Sequence, residues 1–174
     1  AQADSCIGSK TSINFMHLKN QIGNFYPPSK VYIDTKFLNT LANRDFLSGL
    51  GEISHYLVIG GKQSFRILEN EIDKKNINIL KIILESLKIK KTLIQIDEYD
   101  KGKRNIFNYG HTFGHAIESV TNYKIPHGIA VSMGMDIANF YSVNQKFLDN
   151  KTRNKIKMCL SKIWNKKDFK KISA

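Results

Sequence analysis

Three of the five histidines in this 174-residue chain fall within seventeen residues, at His111, His115 and His127. His111 and His115 are four residues apart, so on a helix their side chains share one face. His127 follows Pro126, where that helix is expected to have ended, so its imidazole would return from the next loop. Imidazoles from a helix and from the loop after it are a common way of binding a transition metal. The cluster therefore predicts a metal site.

The spacing leaves the division of roles open. His111 and His115 could both be ligands, or one could bind the metal while the other transfers protons beside it. A catalytic zinc usually has three protein ligands and one open position. Glu52, in an otherwise apolar segment, is the best carboxylate candidate, although an exposed place on a helix is its ordinary alternative. His55 could equally be a ligand or a residue of the helix surface.

A second group of residues is suited to binding anions. Arg104 is one of only four arginines in a lysine-rich chain, and its planar fork matches a carboxylate or a phosphate. Asn108 comes four residues later, hence on the same face if the helix begins that early. Any single lysine is more often solvated than functional. The group comprises Lys10, Lys19, Asn20, Lys90, Arg104 and Asn108.

The elements that must position these residues are mostly helical. Apolar residues recur at helical spacing over residues 45–59, 64–72, 76–87, 105–121 and 128–143, and a more polar helical segment follows residue 149. Residues 1–30 are loop-like, residues 93–96 could be a strand or the end of a helix, and residues 97–103 form a turn. Residues 30–35 are predicted as a strand that must pair with a sheet this chain mostly lacks. Gly110 and Gly114 have no side chains, so this face of the histidine helix allows another backbone or a flat cofactor to approach closely.

Composition and charge exclude several classes of protein. The net charge of +12 is almost all lysine spread along the chain, and no recognition motif or aromatic-interleaved basic stripe accompanies it, so we expect no nucleic-acid partner. No apolar run is long enough to span a membrane. The first residues are neither a signal peptide nor an initiator methionine, which is typical of a chain cut in its middle. Cys6 and Cys159 form no disulfide framework and favour a cytoplasmic setting.

Several motifs follow one another along nearly the whole chain. They include Asp4-Ser5-Cys6-Ile7-Gly8-Ser9-Lys10-Thr11, Lys19-Asn20 with Ile22-Gly23, Asp34-Thr35, Gly49-Leu50-Gly51-Glu52, Asp97-Glu98 with Gly102 and Arg104, Asn108 through Glu118, and His127-Gly128. In this order they resemble the motifs of the 3-dehydroquinate synthase family, the sugar-phosphate cyclases of the shikimate pathway and of aromatic amino acid biosynthesis. The string from Asn108 to Glu118 is the most specific of them.

The resemblance implies a role for each matching residue. Glu52, His111 and His127 would bind the metal, zinc or cobalt, while His115 would stay off the metal and share in proton transfer. Substrate would be held by Lys10, Asn20, Lys90, Arg104 and Asn108. NAD would contact Asp4, Lys10, Lys19, Phe37, Leu38, Asn39 and Thr40.

The resemblance also implies an organisation and a reaction. A Rossmann-like α/β domain for NAD would precede an all-α domain, with residues 1–48 as the C-terminal edge of the first and residues 49–174 as the metal- and substrate-binding domain. The fold class of the chain itself is then mainly α with a short α/β remnant. The family's carbon–oxygen lyase reaction converts 3-deoxy-D-arabino-heptulosonate 7-phosphate to 3-dehydroquinate and phosphate with catalytic NAD. We expect a homodimer at full length, with a small-molecule substrate and no membrane partner.

Departures from the family pattern leave alternatives open. His55 stands where the family has lysine, Ile129 where it usually has glutamate, and Ser9 where it has glycine. A histidine at position 55 would titrate near pH 6.5. The family's Gly-rich nucleotide segment and a further C-terminal lysine find no match, which predicts an incomplete fragment. The alternatives are another sugar-phosphate cyclase, a metal-dependent polyol dehydrogenase, or a non-catalytic helical binding module.

Overall fold

The structure is a computed structural model that describes residues 2–16 and 18–172. His17 lies outside the described residues, as do the side chains of Lys19 and Asn20, so the roles expected of Lys19 and Asn20 stay predictions. Within the described part, the chain forms one short hairpin followed by a bundle of helices, which confirms the mainly α fold class. None of the described helices is long and apolar enough to cross a membrane.

The strand content lies elsewhere than expected. The hairpin pairs β1 (Ile13–Phe15) with β2 (Leu18–Ile22) in antiparallel fashion, within the segment predicted as loop. The strand predicted at residues 30–35 is wrong. Among the described residues no strand runs beside it, and a β-prone run without a partner has no ladder to join. A 3₁₀ helix (Thr35–Thr40) begins there instead, and the side chain of Asp34 caps it by accepting from the Lys36 amide at 2.9 Å.

The described chain contains seven α-helices. Five lie where the apolar periodicity predicts helix, and the last two lie in the segment after residue 149 that is predicted as helical but polar. The seven helices are α1 (Asn43–Ile59), α2 (Lys62–Ile72), α3 (Ile79–Ile96), α4 (His111–Val120), α5 (His127–Asn144), α6 (Asn150–Leu160) and α7 (Lys166–Ile172). Residues 93–96 prove to be the end of α3. The following turn is held by Asp97, whose carboxylate accepts from three backbone amides. The short α7 is held to α1 because Arg44 forms a two-pronged ion pair with the buried Asp168.

Helix α5 is the centre of the bundle. All of residues 128–135 are buried, so this helix is covered on every side rather than along one stripe. Helices α1, α4 and α6 pack around it. One apolar cluster joins α5 to α4 and α6 through Ile129, Ile117 and Leu160. A second joins α1 to α2 and α3 through residues such as Leu57 and Ile82. The first residue of α5 is therefore held between α1 and α4.

The single helix predicted over residues 105–121 is wrong. A 3₁₀ helix (Lys103–Asn108) ends before Tyr109, and α4 begins only at His111. Gly110 separates them with a φ of +78°, a left-handed conformation that favours glycine. Arg104 and Asn108 consequently do not share a helix face, since Arg104 is buried and Asn108 is exposed. The close approach predicted at Gly114 is confirmed, because the backbone of α5 packs directly against this glycine. A Cβ on Gly114 would lie 2.9 Å from the Cα of Val131.

The contact between α1 and α5 gives a testable prediction about stability. A Cβ on Gly51 would overlap the carbonyl oxygen of Gly128, whereas a Cβ on Gly49 would meet nothing within 4 Å. We expect Gly51→Ala to destabilise the protein by about 1–3 kcal/mol, the usual range for overpacking. Gly49→Ala on the same helix should stabilise it by up to about 1 kcal/mol, because alanine is the better helix former. Urea unfolding of the complete protein measures both.

The Gly51 substitution should also weaken metal binding, since Glu52 is the next residue and α1 must move away from α5. Equal unfolding free energies for the two variants would show that the helices tolerate the extra methyl group and that the contact is not a tight one.

Candidate metal centre

Three helices bring one predicted ligand each to a common point. Glu52 projects from the middle of α1, and His111 is the first residue of α4. His127 was expected in a loop but is the first residue of α5, with Pro126 as its N-cap. Proline suits a helix start because its missing N–H has no partner to lose there. The break at Gly110 and the start at Pro126 thus place two imidazoles at neighbouring helix N-termini.

The ligand atoms converge at distances suited to one ion. The Oε1 atom of Glu52 lies 3.3 Å from Nε2 of His127 and 4.0 Å from Nε2 of His111. Ligand atoms 2.0–2.1 Å from a tetrahedral zinc are about 3.4 Å apart. All three residues offer a ligand atom within 4.8 Å of the others. The three side chains could therefore hold a divalent ion with little movement.

The electrostatics of these side chains favour a cation. Among the described residues, the buried Oε1 atom of Glu52 has no hydrogen-bond donor. Burial, together with the nearby Asp4 carboxylate, raises the pKa of Glu52 to about 7. Burial and the neighbouring His127 lower the pKa of His111 to about 4, so its imidazole stays neutral, the form that binds metals. A buried carboxylate next to neutral imidazoles is stabilised by a bound cation.

Oxygen atoms lie behind the rings of the two histidines, on the side away from Glu52. The Nδ1 atom of His111 lies 3.3 Å from the carbonyl oxygen of Tyr109. The Nδ1 atom of His127 lies 3.1 Å from Oε2 of Glu118. With the proton on Nδ1, each ring leaves Nε2 as the ligand atom facing Glu52. Glu118 is a residue to which the sequence reasoning gave no role. Its spacing of seven from His111, which places both on one helix face, is the signal that was available.

His115 lies beside the centre on the more exposed side. Its ring centroid is 5.5 Å from that of His111 and 5.6 Å from that of His127. It offers no atom to the Glu52 set, but it forms a second possible ligand set with Glu118 and His127. Both sets depend on His127. The geometry thus places His115 beside the metal centre without making it a partner of Glu52.

The structure brings part of the predicted anion-binding group together. Lys90 is buried, and its Nζ lies 2.7 Å from Oδ1 of Asp4 and 2.8 Å from the Asp4 carbonyl oxygen. Lys90 and Arg104 meet at Gly8, where a Cβ would lie 3.2 Å from Cε of Lys90 and 3.3 Å from a guanidinium nitrogen of Arg104. Arg104 is buried and donates to the carbonyl oxygen of Glu98. Two cations therefore lie side by side under the loop around Gly8.

Other members of that group are more dispersed. Lys10 is exposed and pairs with Asp100, and it lines a cavity of about 790 Å³ beside Cys6 and Tyr26. Asn108 is exposed at the end of its 3₁₀ helix, away from the face that Arg104 occupies. Their proposed contacts with substrate stay predictions.

The predicted NAD-contact stretch borders the metal centre. A cavity of about 410 Å³ is lined by Phe37 and Leu38 of the 3₁₀ helix and by Glu52 and Gly49 of α1. This volume is in the usual range for a small-molecule site. Asn39 and Thr40 are exposed. Asp4 accepts hydrogen bonds from Tyr56 and Lys90, and Lys90 counters the effect of burial so that the pKa of Asp4 is lowered.

Comparisons with known protein families cover residues 1–173 of the chain. Residues 49–173 match the family described as "3-dehydroquinate synthase C-terminal", and residues 1–48 match "3-dehydroquinate synthase N-terminal". The chain belongs to the 3-dehydroquinate synthase family. The division expected between residues 48 and 49 stays a prediction, and α1 runs through it.

Individual relatives agree with this membership. The 3-dehydroquinate synthase of Campylobacter curvus is 42% identical over 93% of this chain, and that of Dictyoglomus thermophilum is 46% identical over 86%. A solved structure of 2-deoxy-scyllo-inosose synthase, complexed with carbaglucose-6-phosphate, NAD+ and Co2+, matches 99% of the chain with a TM-score of 0.84 at 26% identity, and the match covers 51% of that protein. The chain spans less than half the length of the two synthases, 47% and 43%.

Two departures from the family's motifs have different structural meanings. Ile129 is fully buried on α5. An apolar side chain therefore packs in the core at the position where the family usually has glutamate. His55 is also fully buried, against the rings of His111, Tyr56 and Tyr109. The expectation that His55 titrates near pH 6.5 is wrong, because burial and the neighbouring His111 lower its pKa to about 3. This residue is a neutral ring beside the metal centre throughout the physiological range.

Proposed function

We propose that the complete protein is a 3-dehydroquinate synthase, a lyase that converts 3-deoxy-D-arabino-heptulosonate 7-phosphate to 3-dehydroquinate and phosphate. The observation that carries the proposal is the convergence of Glu52, His111 and His127 on one point in a member of this family. The identity of 42–46% to synthases of this name supports that reaction over those of more distant cyclases. We further propose a homodimer in the cytoplasm, where Cys6 and Cys159 would stay unpaired.

The metal would be held by Glu52, His111 and His127. A carboxylate and two imidazoles suit zinc, with cobalt as a substitute, and the solved 2-deoxy-scyllo-inosose synthase was complexed with Co2+. The ion, when bound, would supply Lewis acidity to a substrate hydroxyl. The helix N-termini that carry both histidines would fix the ring directions before substrate arrives.

NAD would occupy the cavity lined by Phe37 and Leu38, with Asp4, Lys10, Lys19, Asn39 and Thr40 as further contacts. That cavity reaches Glu52, so the reacting end of the cofactor would lie beside the metal centre. NAD, when bound, would accept a hydride from the carbon that bears a ring hydroxyl and later return it, while the hydroxyl proton goes to a base. We propose that a Rossmann-like domain, as in the family, supplies the remainder of the NAD site.

The chain's own residues would manage protons and charge. His115, at the open side of the centre, would carry the proton released from the substrate hydroxyl. Lys90 and Arg104 would hold the substrate's anionic groups in a low-dielectric pocket, where fixed cations offset charge on the leaving phosphate. Asn20, Lys10 and Asn108 would bind its hydroxyl and phosphate oxygens. The buried rings around His55 would exclude water from the far side of the ion.

The experiment that tests the proposal is a phosphate-release assay with the complete protein, NAD and zinc. We expect release from the acidic seven-carbon phosphate, with no net reduction of NAD, and none from a neutral heptulose phosphate. Release only from the neutral sugar would identify another cyclase, which the replacement of the family lysine by neutral His55 would then explain. Steady reduction of NAD with a simple polyol would identify a dehydrogenase instead, and no turnover with any of them would favour a binding module.

A further inference from the structure

We propose that Glu118 is a positioning residue of the metal centre, and that its carboxylate holds the His127 ring so that Nε2 faces the ion. This inference depends on the metal site that is part of the proposed function. It assigns a role to a residue that neither the ligand set nor the substrate group includes.

The first support is the contact itself. Oε2 of Glu118 lies 3.1 Å from Nδ1 of His127, while the other ring nitrogen, Nε2, lies 3.3 Å from Oε1 of Glu52. The imidazole is thus held between two carboxylates on opposite edges. The contact has the distance of an ion pair without the geometry of a hydrogen bond, and a small turn of the ring on metal binding would let Nδ1–H donate to Glu118. That tautomer leaves the lone pair on Nε2, which is the form that binds a metal through Nε2.

The second support is the placement of Glu118. Its side chain is only 6% exposed, in the second half of α4. Burying a carboxylate costs several kcal/mol unless a partner compensates it, so a glutamate at this depth requires a specific contact. Its backbone carbonyl already accepts from the Tyr123 amide at 2.8 Å, which fixes the end of α4 and hence the position of the side chain.

The third support is the contrast with the other imidazole. His111 has only a neutral carbonyl, that of Tyr109, behind its Nδ1 atom, whereas His127 has a carboxylate. A carboxylate behind a ligating imidazole raises the basicity of the metal-facing nitrogen more strongly than a neutral acceptor does. The side chain of His127 is 41% exposed and that of His111 is 17% exposed. Because fewer packing contacts restrain the His127 ring, a fixed partner contributes more to its orientation.

The test is metal affinity, measured on the complete protein after removal of metal and by competition of a chelator for zinc and for Co2+. Glu118→Gln keeps the size of the side chain and removes its charge. We expect it to bind one ion with a 10–100-fold weaker affinity, the range for such outer partners. Glu118→Asp, which withdraws the carboxylate by one methylene, should lose part of that affinity and gives a second measurement if the first variant folds poorly.

Glu71→Gln is the matched control, since Glu71 is another buried glutamate but pairs with Lys74 and Lys81 away from the centre. It should lose stability without losing metal affinity. Wild-type affinity in Glu118→Gln would overturn the inference. So would complete loss of the bound ion, because Glu118 would then be a ligand together with His115 and His127. Metal affinity is measured independently of catalytic turnover. A wild-type protein that binds metal but has no activity would therefore contradict the proposed reaction and leave the role of Glu118 unaffected. A wild-type protein that binds no ion would overturn both.

Discussion

Replacing His111 with alanine is expected to remove most of the bound metal from the complete protein. The imidazole supplies one of three ligand atoms, and the remaining Glu52 and His127 cannot close a tetrahedral site by themselves. The loss should exceed the roughly 100-fold upper range that outer-shell partners contribute. Metal content after dialysis, measured by atomic emission, should fall from about one equivalent toward zero.

The control for this variant is its folding. His111 is the first residue of α4 and is partly exposed, so alanine should be tolerated there, and urea unfolding of the metal-free proteins should give similar free energies. An undiminished metal content in a folded His111→Ala protein would remove His111 from the ligand set.

Replacing His115 with alanine is expected to have the opposite pattern. The ion should remain, because the ligand set formed by Glu52, His111 and His127 does not include His115. Turnover should fall by roughly a hundredfold or more, the usual contribution of a general acid–base group. Phosphate release and metal content would be measured on the same preparation. His115 is exposed, so the variant should fold as the wild-type protein does.

The two variants together separate two possible ligand sets. If His115→Ala loses metal in step with activity, the ion is held by His115, Glu118 and His127, and the assignment of Glu52 is wrong. If only activity is lost, the two histidines four residues apart on one helix have different functions. In that case, the difference follows from what each faces: His111 points toward α1, and His115 toward the open side of the centre.

Much of the candidate site could be predicted from the residues alone. The spacing of His111, His115 and His127 indicated a metal, and ordered motifs indicated the family. The apolar periodicity predicted five of the seven helices, since a helix that covers a core must repeat its apolar residues every three to four positions. These features depend on neighbours in sequence, which is why the sequence determined them.

Other features were decided only by the tertiary structure. The helix expected over residues 105–121 is interrupted at Gly110 because the backbone of α5 approaches there. His55 could have been a surface residue or a ligand, and its burial among Tyr56, Tyr109 and His111 made it a neutral ring instead. Glu118 gained its role from His127, which lies on another helix. Periodicity shows which face of a helix is apolar, but the partner that covers that face, and the charge that each buried group can keep, depend on the packing of segments far apart in the chain.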